Sequence, residues 1–170
     1  MKNSGTVTCK NRLTGETREV QTEQLLFRPS AYGVIIKDGK VLLNQAWDGY
    51  DFPGGGIEKG ETIHDGLLRE VKEETGLTVK VGPLLYAGED FFIANFKAET
   101  YFHALIYYFL CKEPTGELST EGFAPYEKEY MKEPVWMPIE KVTGLKFYNP
   151  VNSPELIRAA IRGGTYTENL

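Results

Sequence analysis

Runs of aliphatic and aromatic residues, separated by turn residues, dominate the chain and predict a protein made mainly of β-strands. Residues 6–21 alternate weakly around 11–15, which predicts an N-terminal hairpin. In residues 31–46 two aliphatic runs flank Asp38-Gly39, and this pair favours the type I′ turn of a second hairpin. Four further runs predict strands: residues 78–88, 90–96, 101–111 and 135–137.

Two stretches show the period of a helix instead. Residues 62–75 begin with Thr62, which has an acid three residues later as in a capping box, and end before Gly76, a C-terminal cap. The second helix begins at Ser153, the predicted N-cap, and ends at residues 163–164. Strands with a central and a C-terminal helix favour an α/β or α+β class with a mixed sheet.

Composition excludes several classes of protein. A chain of 170 residues, 41% of them hydrophobic, can bury a core, and we expect one domain over residues 1–170 with residues 1–26 as an N-terminal hairpin extension. The 24 acidic against 19 basic residues argue against a nucleic acid or a membrane as the main partner. The apolar run 101–111 is shorter than the roughly 20 residues of a membrane-spanning helix. Without a signal-peptide pattern, a cytoplasmic location is expected.

Three carboxylates share one face of the first predicted helix. Glu70, Glu73 and Glu74 lie within one turn, where like charges disfavour a helix unless a cation lies among them. Carboxylates without Cys or clustered His favour Mg²⁺, Mn²⁺ or Ca²⁺ over zinc. The alternative is a solvated acidic face whose charge is offset by Arg69 and Lys72.

A longer pattern surrounds these acids. Residues 53–56 read Pro-Gly-Gly-Gly, and from Gly55 to Leu77 the sequence follows G-x5-E-x7-R-E-U-x-E-E-x-G-U, where U is a bulky aliphatic residue. This is the Nudix box at every specified position, so the chain resembles the Nudix hydrolases. The resemblance implies an α/β/α sandwich with a mixed β-sheet, in which the box forms a loop–helix–loop and a further helix lies near the C-terminus.

The resemblance also implies an activity and a set of site residues. The expected activity is Mg²⁺-dependent hydrolysis of a diphosphate linkage in a nucleoside diphosphate derivative, such as a nucleoside triphosphate or a nucleotide-sugar, and Mn²⁺ can substitute. Glu70, Glu73 and Glu74 are the implied metal ligands, and Glu70 is also a candidate base for the attacking water. The carbonyl of Gly54 or Gly55 completes the metal shell, and Arg69 and Glu61 support the loop and helix.

Outside the box the candidates are weaker. The polar segment 112–134 is expected to be a loop that borders the cleft, orders on binding and supplies one more acid, with Glu127 or Glu129 favoured over Glu117, Glu121 and Glu133. Arg28 could contact a phosphate. Aromatic residues that could stack a base are Tyr32, Trp47, Tyr50 and Phe52. Ordinary core or surface positions are the alternative for each of these residues.

Two other functions are compatible with the fold. A nucleotide sensor without turnover would typically lack box carboxylates, and this chain has all four. An isoprenoid diphosphate isomerase would need a catalytic cysteine, whereas Cys9 and Cys111 lie in no recognisable context. An enzyme acting on a small nucleotide-type diphosphate is therefore favoured. Residues 90–95 carry neither the proline of the ADP-ribose subfamily nor the tyrosine of the dinucleoside polyphosphate subfamily, and a homodimer is left open.

Overall fold

The computed structural model describes residues 5–94 and 99–167. Within them nine strands form one mixed sheet, with the order β2-β1-β7-β8-β3-β4-β5, β6 paired with β3 and β9 paired with β4. The strands are β1 Thr6–Asn11, β2 Thr17–Gln21, β3 Leu25–Lys37, β4 Lys40–Ala46, β5 Gly49–Asp51, β6 Gly54–Gly56, β7 Thr78–Ala94, β8 Thr100–Thr115 and β9 Met131–Pro138.

One helix covers each face of the sheet. Helix α1 spans Ile63–Thr75 and helix α2 spans Ser153–Arg162, and short 3₁₀ turns occupy Thr22–Gln24, Glu127–Glu129 and Ile139–Gly144. Along β8, Phe109 and Cys111 pack with α1, whereas Ile106 and Tyr108 pack with α2. Alternate residues of a strand face opposite sides of a sheet, so the near-continuous apolar run fills two cores at once. The predicted α/β/α sandwich is confirmed.

Local turn chemistry explains where the elements begin and end. Asp38 and Gly39 both have positive φ (49° and 72°), as a type I′ turn requires, and they join β3 to β4 as predicted. The Thr62 hydroxyl accepts a hydrogen bond from the Asp65 N–H at 3.1 Å, which caps α1. Gly76, with φ 75°, ends the helix in the left-handed conformation that glycine adopts without strain.

Three expectations need correction. Residues 78–88 and 90–94 belong to one strand, β7, whose register shifts between Thr78 and Tyr86; residues 95 and 96 of the predicted second run lie outside the described residues. The predicted loop 112–134 is shorter, because β8 continues to Thr115 and β9 already begins at Met131. The N-cap of α2 is Asn152 rather than Ser153. The buried Ser153 hydroxyl donates a hydrogen bond to Oδ1 of Asn149 instead.

The N-terminal hairpin is part of the sheet. Strands β1 and β2 pair antiparallel, as predicted, and β1 also pairs in parallel with β7, with Asn11 beside Ile93. Cys9, Val20 and Ile93 form a small core beneath the hairpin. The turn between β1 and β2 is therefore held at the end of β7 by backbone pairing and by packing.

Both cysteines are buried as free thiols in different clusters. Burial raises the pKa of Cys111 to about 12, which makes it a poor nucleophile at neutral pH. No helix in residues 5–94 and 99–167 has the length and apolar character needed to cross a membrane.

We expect Leu67→Ala to destabilise the fold by about 2–5 kcal/mol, because Leu67 is fully buried between α1 and the sheet. Urea unfolding measures this loss. The matched control is Ile161→Ala, which removes an exposed side chain from α2 and should change the free energy of unfolding by less than about 0.5 kcal/mol. Equal effects of the two variants would contradict the packing of α1 described above.

Candidate active site

The glycine strand β6 lets α1 come close to the sheet. Gly55 pairs with Ala31 of β3, and a Cβ on Gly55 would lie 2.7 Å from Cδ of Glu70. Glycine therefore makes room for the Glu70 carboxylate directly against β6. The Gly54 N–H donates to Oε2 of Glu74 at 2.8 Å, so the backbone of Gly54 faces the acidic part of α1.

Arg69 joins the box loop to the helix. Its Nε and Nη2 donate to the two carboxylate oxygens of Glu61 at 2.7 and 3.0 Å, and Nη2 also donates to the carbonyl of Gly56 at 3.0 Å. Its Nη1 donates to Glu70 at 3.0 Å and to Glu73 at 3.2 Å. Arg69 thus has an acceptor for each of its five N–H bonds. Hydrogen bonds from Arg69 lower the pKa of Glu61 to about 2.

The carboxyl groups of Glu70 and Glu74 lie in poorly solvated positions. Burial raises the pKa of Glu70 even though Arg69 acts in the opposite direction. Burial also raises the pKa of Glu74 well above its usual range, and the nearby charges of Glu70 and Glu127 add to that shift. Oε2 of Glu74 accepts from Nδ2 of Asn44 at 2.6 Å as well as from the Gly54 N–H. These carboxylates repel one another across a confined space.

A cleft of about 830 Å³ brings many of the predicted residues together. The predicted residues along its wall are Arg28, Tyr32, Trp47, Phe52, Gly54, Gly55, Glu70, Glu74, Glu127 and Glu129. Tyr50 is not among the lining residues, and its ring packs on the core beneath α2. Glu61, Arg69 and Glu73 lie beside the cleft rather than along its wall. Residues from the segment 126–131 form one wall of the cleft. The polar segment 112–134 was expected to border the cleft in this way.

The acids that face the cleft differ from the predicted trio. Glu74 is one full turn from Glu70, whereas Glu73 is displaced by about 60° around the helix in the other direction. The Glu73 side chain is 46% exposed and bonded to Arg69. Glu127 and Glu129, from one 3₁₀ turn, contribute two further carboxylates to the cleft wall.

The donor set fits a hard divalent cation. In the part of the chain that the structure describes, no three His, Cys, Asp or Glu side chains are already gathered as a metal-binding group. Glu70, Glu74 and Glu127 nevertheless offer only oxygen atoms, and burial, with the nearby charges of Glu70 and Glu127 added, raises the pKa of Glu74. A cation among them would relieve the repulsion between these charges and satisfy the chemistry that carboxylate oxygens prefer.

Several lining residues were missed from the sequence. Asn44 is a polar side chain that directly follows the apolar run 41–43 of β4, and that position was a signal that could have been used. Asp51 lines the same cleft, and its Oδ1 accepts hydrogen bonds from the Phe52 N–H and from Nδ2 of Asn149. The residues of the β1–β2 turn, 11–14, also line the cleft, and no sequence pattern indicated this.

Trp47 has an unusual backbone conformation at the mouth of the cleft. Its φ is 47°, which is uncommon for a bulky residue, and its ring stacks on Tyr130 with centroids 4.4 Å apart and 10° between the planes. The indole is still 37% exposed. A flat aromatic group could therefore stack on this pair.

Residues 27–159 match the family model described as the NUDIX domain. The chain belongs to the Nudix family. The Nudix box, Gly55 to Leu77, therefore begins in β6, continues through the following loop and α1, and ends just after the helix.

Curated Nudix relatives match part of the chain. An ADP-ribose pyrophosphatase of Methanocaldococcus jannaschii is 41% identical over 75 residues, which cover 40% of this chain and 44% of that protein. A putative 8-oxo-dGTP diphosphatase, YtkD, of Bacillus subtilis is 52% identical over 52 residues, which cover 30% and 32%. The chain spans less than half the length of these curated relatives. The names of these two relatives differ in substrate, so the likeness to them selects no single substrate.

A solved structure shows the same fold. The structure of a UDP-X diphosphatase matches with a TM-score of 0.59 at 19% identity, covering 84% of this chain and 68% of that chain. At this identity the likeness concerns the fold alone.

We expect Gly55→Ala to lower kcat at least about tenfold, because the new Cβ would displace the Glu70 carboxylate. Overpacking here should also cost about 1–3 kcal/mol of stability. Gly144→Ala is the control, since nothing lies within 4 Å of its Cβ position. Steady-state kinetics and urea unfolding measure both effects. Unchanged kcat in a folded Gly55→Ala protein would contradict the close approach of Glu70.

Proposed function

We propose that this chain hydrolyses a diphosphate linkage in a nucleoside diphosphate derivative with the help of a divalent cation, Mg²⁺ or Mn²⁺. The observation that carries the proposal is the cleft itself: a complete Nudix box places Glu70 and Glu74 at its wall, together with Glu127 and the cation of Arg28. A diphosphate is densely negative, and its hydrolysis requires charge neutralisation near the attacked phosphorus.

Glu70 is the proposed base. Arg69 holds its Oε1 at 3.0 Å, and Oε2 receives no hydrogen bond from the described residues, so this oxygen can take a proton from an attacking water. Burial raises the pKa of Glu70 toward neutrality, which strengthens it as a proton acceptor. Arg69 and Glu61 act as positioning residues, because they touch the helix and loop and not the cleft.

The cation-binding residues in this proposal are Glu70, Glu74 and Glu127, with Glu73 as a further ligand if its side chain turns from Arg69. When bound, a divalent cation withdraws charge from the phosphate oxygens and lowers the pKa of a coordinated water. Asn44 and the Gly54 N–H hold one oxygen of Glu74 and leave the other toward the cleft.

Arg28 and Trp47 are the proposed substrate contacts. Nη1 of Arg28 donates to the Ser30 hydroxyl at 3.0 Å, and no described carboxylate forms an ion pair with it. A Cβ on Gly56 would lie 3.1 Å from Nε of Arg28, so the guanidinium lies against β6, whose Gly55 lies against Glu70. Its guanidinium can bind a phosphate oxygen. The exposed face of Trp47 can stack a nucleobase at the mouth.

The experiment that tests the function is a panel of nucleoside triphosphates, nucleotide-sugars and dinucleotides with Mg²⁺, in which released phosphate or pyrophosphate is measured. We expect turnover of at least one class, and we expect Glu70→Gln to lower kcat by about two orders of magnitude or more with little change in melting temperature. Glu58→Gln, on the exposed box loop, is the control. Turnover of none of the panel together with tight nucleotide binding would identify a sensor module instead.

We expect millimolar Mg²⁺ or Mn²⁺ to raise the melting temperature, because a cation that binds the folded site and hardly the unfolded chain stabilises the fold by mass action. Glu74→Gln and Glu127→Gln should each reduce this rise. Glu133→Gln, outside the cleft wall, should not. Differential scanning fluorimetry gives the measurement. A rise that survives both cleft substitutions would remove Glu74 and Glu127 from the metal site.

A further inference from the structure

The turn between β1 and β2 lies outside residues 27–159, which match the NUDIX domain, yet it forms a wall of the cleft. Asn11, Arg12, Leu13 and Thr14 all line it, opposite the side that carries Trp47 and Tyr130. The hairpin therefore adds to the cleft a wall that the family domain does not supply.

The position of this turn is fixed by its backbone. Oδ1 of Asn11 accepts hydrogen bonds from the N–H groups of Leu13 and Thr14 at 2.9 and 3.1 Å, and the Asn11 carbonyl accepts from Gly15 at 2.8 Å. Asn11 is itself in register with Ile93 of β7. A turn capped in this way and paired to the sheet presents its side chains in a defined place.

Arg12 is the side chain so presented. Its Nη2 pairs with the Asp90 carboxylate of β7, and its guanidinium carbon lies 4.9 Å from the centroid of the Phe92 ring. Its Nε is buried and has no hydrogen-bond partner among the described residues. A buried N–H of a cation without an acceptor is unfavourable, so this atom requires an acceptor from a ligand or from water.

A second arginine faces the same part of the cleft. Arg28 lies 6.0 Å from the centroid of Phe102, and the Phe102 ring stacks on Phe92 with centroids 5.0 Å apart. The two guanidinium groups thus lie over neighbouring, stacked rings. Asp51 also lines the cleft, but its Oδ1 already accepts from Asn149 and from the Phe52 N–H.

We propose, resting on the function proposed above, that Arg12 determines specificity by binding an anionic oxygen of the group beyond the cleaved diphosphate linkage. Arg28 holds the diphosphate beside Glu70, and Arg12 lies further along the same wall, where the terminal phosphate of a nucleoside triphosphate would meet it. A nucleotide-sugar presents neutral hydroxyls there and gains less from a cation. The hairpin therefore favours substrates in which the group attached to the β-phosphate is itself anionic, as in a nucleoside triphosphate, over those in which that group is a neutral sugar.

The test compares Arg12→Gln with the matched control Arg18→Gln. Arg18 lies on β2 of the same hairpin, is exposed, pairs with Glu99 and does not line the cleft. For a nucleoside triphosphate, Arg12→Gln should raise KM about tenfold or more with kcat changed less than about twofold. For a nucleotide-sugar with the same base, its KM should change less than about twofold, and Arg18→Gln should change neither substrate's KM.

Two results would overturn the proposal. If Arg12→Gln resembles Arg18→Gln with both substrates, Arg12 serves only to pair with Asp90 and its Nε is met by water. If Arg12→Gln weakens both substrates equally, Arg12 contacts the shared nucleotide part. Because loss of Arg12 leaves Asp90 without its cation, the double variant Arg12→Gln/Asp90→Asn keeps the charge balanced and must give the same selective rise in KM.

A binding measurement separates this proposal from the proposed hydrolysis. Isothermal titration calorimetry with a methylene-bridged nucleoside triphosphate needs no turnover, so it applies even if the wild-type chain hydrolyses nothing in the panel. Arg12→Gln should weaken this binding about tenfold or more relative to wild type and Arg18→Gln. Absence of wild-type binding, or equal affinity in all three proteins, would refute a role for Arg12 whatever the panel shows.

Discussion

Five N–H bonds of one arginine link the parts of the Nudix box. Arg69 holds Glu61 of the loop through a paired contact, reaches the Gly56 carbonyl at the end of β6, and bonds both Glu70 and Glu73 of its own helix. The position of the Glu70 carboxylate against Gly55 depends on this link, because the same guanidinium donates to Glu70 of the helix and to Glu61 of the loop. Glu61, with its lowered pKa, stays charged and keeps the link intact at any ordinary pH.

The same arrangement leaves the carboxyl group of Glu74 in a poorly solvated position close to other negative charges. Glu74 is buried, with Glu70 and Glu127 close enough to raise its pKa further, while one of its oxygens is held by Asn44 and Gly54. Groups of this kind are unfavourable in a protein unless a cation or a proton compensates them. The unfavourable electrostatics therefore support a functional role for these acids, since the fold alone would be better served by neutral side chains.

Sheet topology decides how the cleft is closed on its two sides. At one side β4, β5 and the turn before β9 bring Trp47, Tyr130 and Glu127 to the wall. At the other side β1 joins β7 in parallel, so that a hairpin outside the family domain reaches the same cavity. The first side presents the stacked rings of Trp47 and Tyr130 beside Glu127, and the second side presents the guanidinium group of Arg12. A ligand with one aromatic end and one anionic end matches this distribution of charge.

By itself the sequence determined most of what depends on neighbours along the chain, although it placed the N-cap of α2 one residue too late. The Asp38-Gly39 turn, the capped helix from Thr62 to Gly76 and the box spacing are local, because φ preferences, caps and helix periodicity act within a few residues. Tertiary structure alone decided which distant groups meet. The charge of Glu127 acts on Glu74, and Glu73 pairs with Arg69. The pairing of β1 with β7 brings Arg12 to the wall of the cleft. Such contacts join residues many positions apart, and their geometry follows from strand register and packing, which no local pattern encodes.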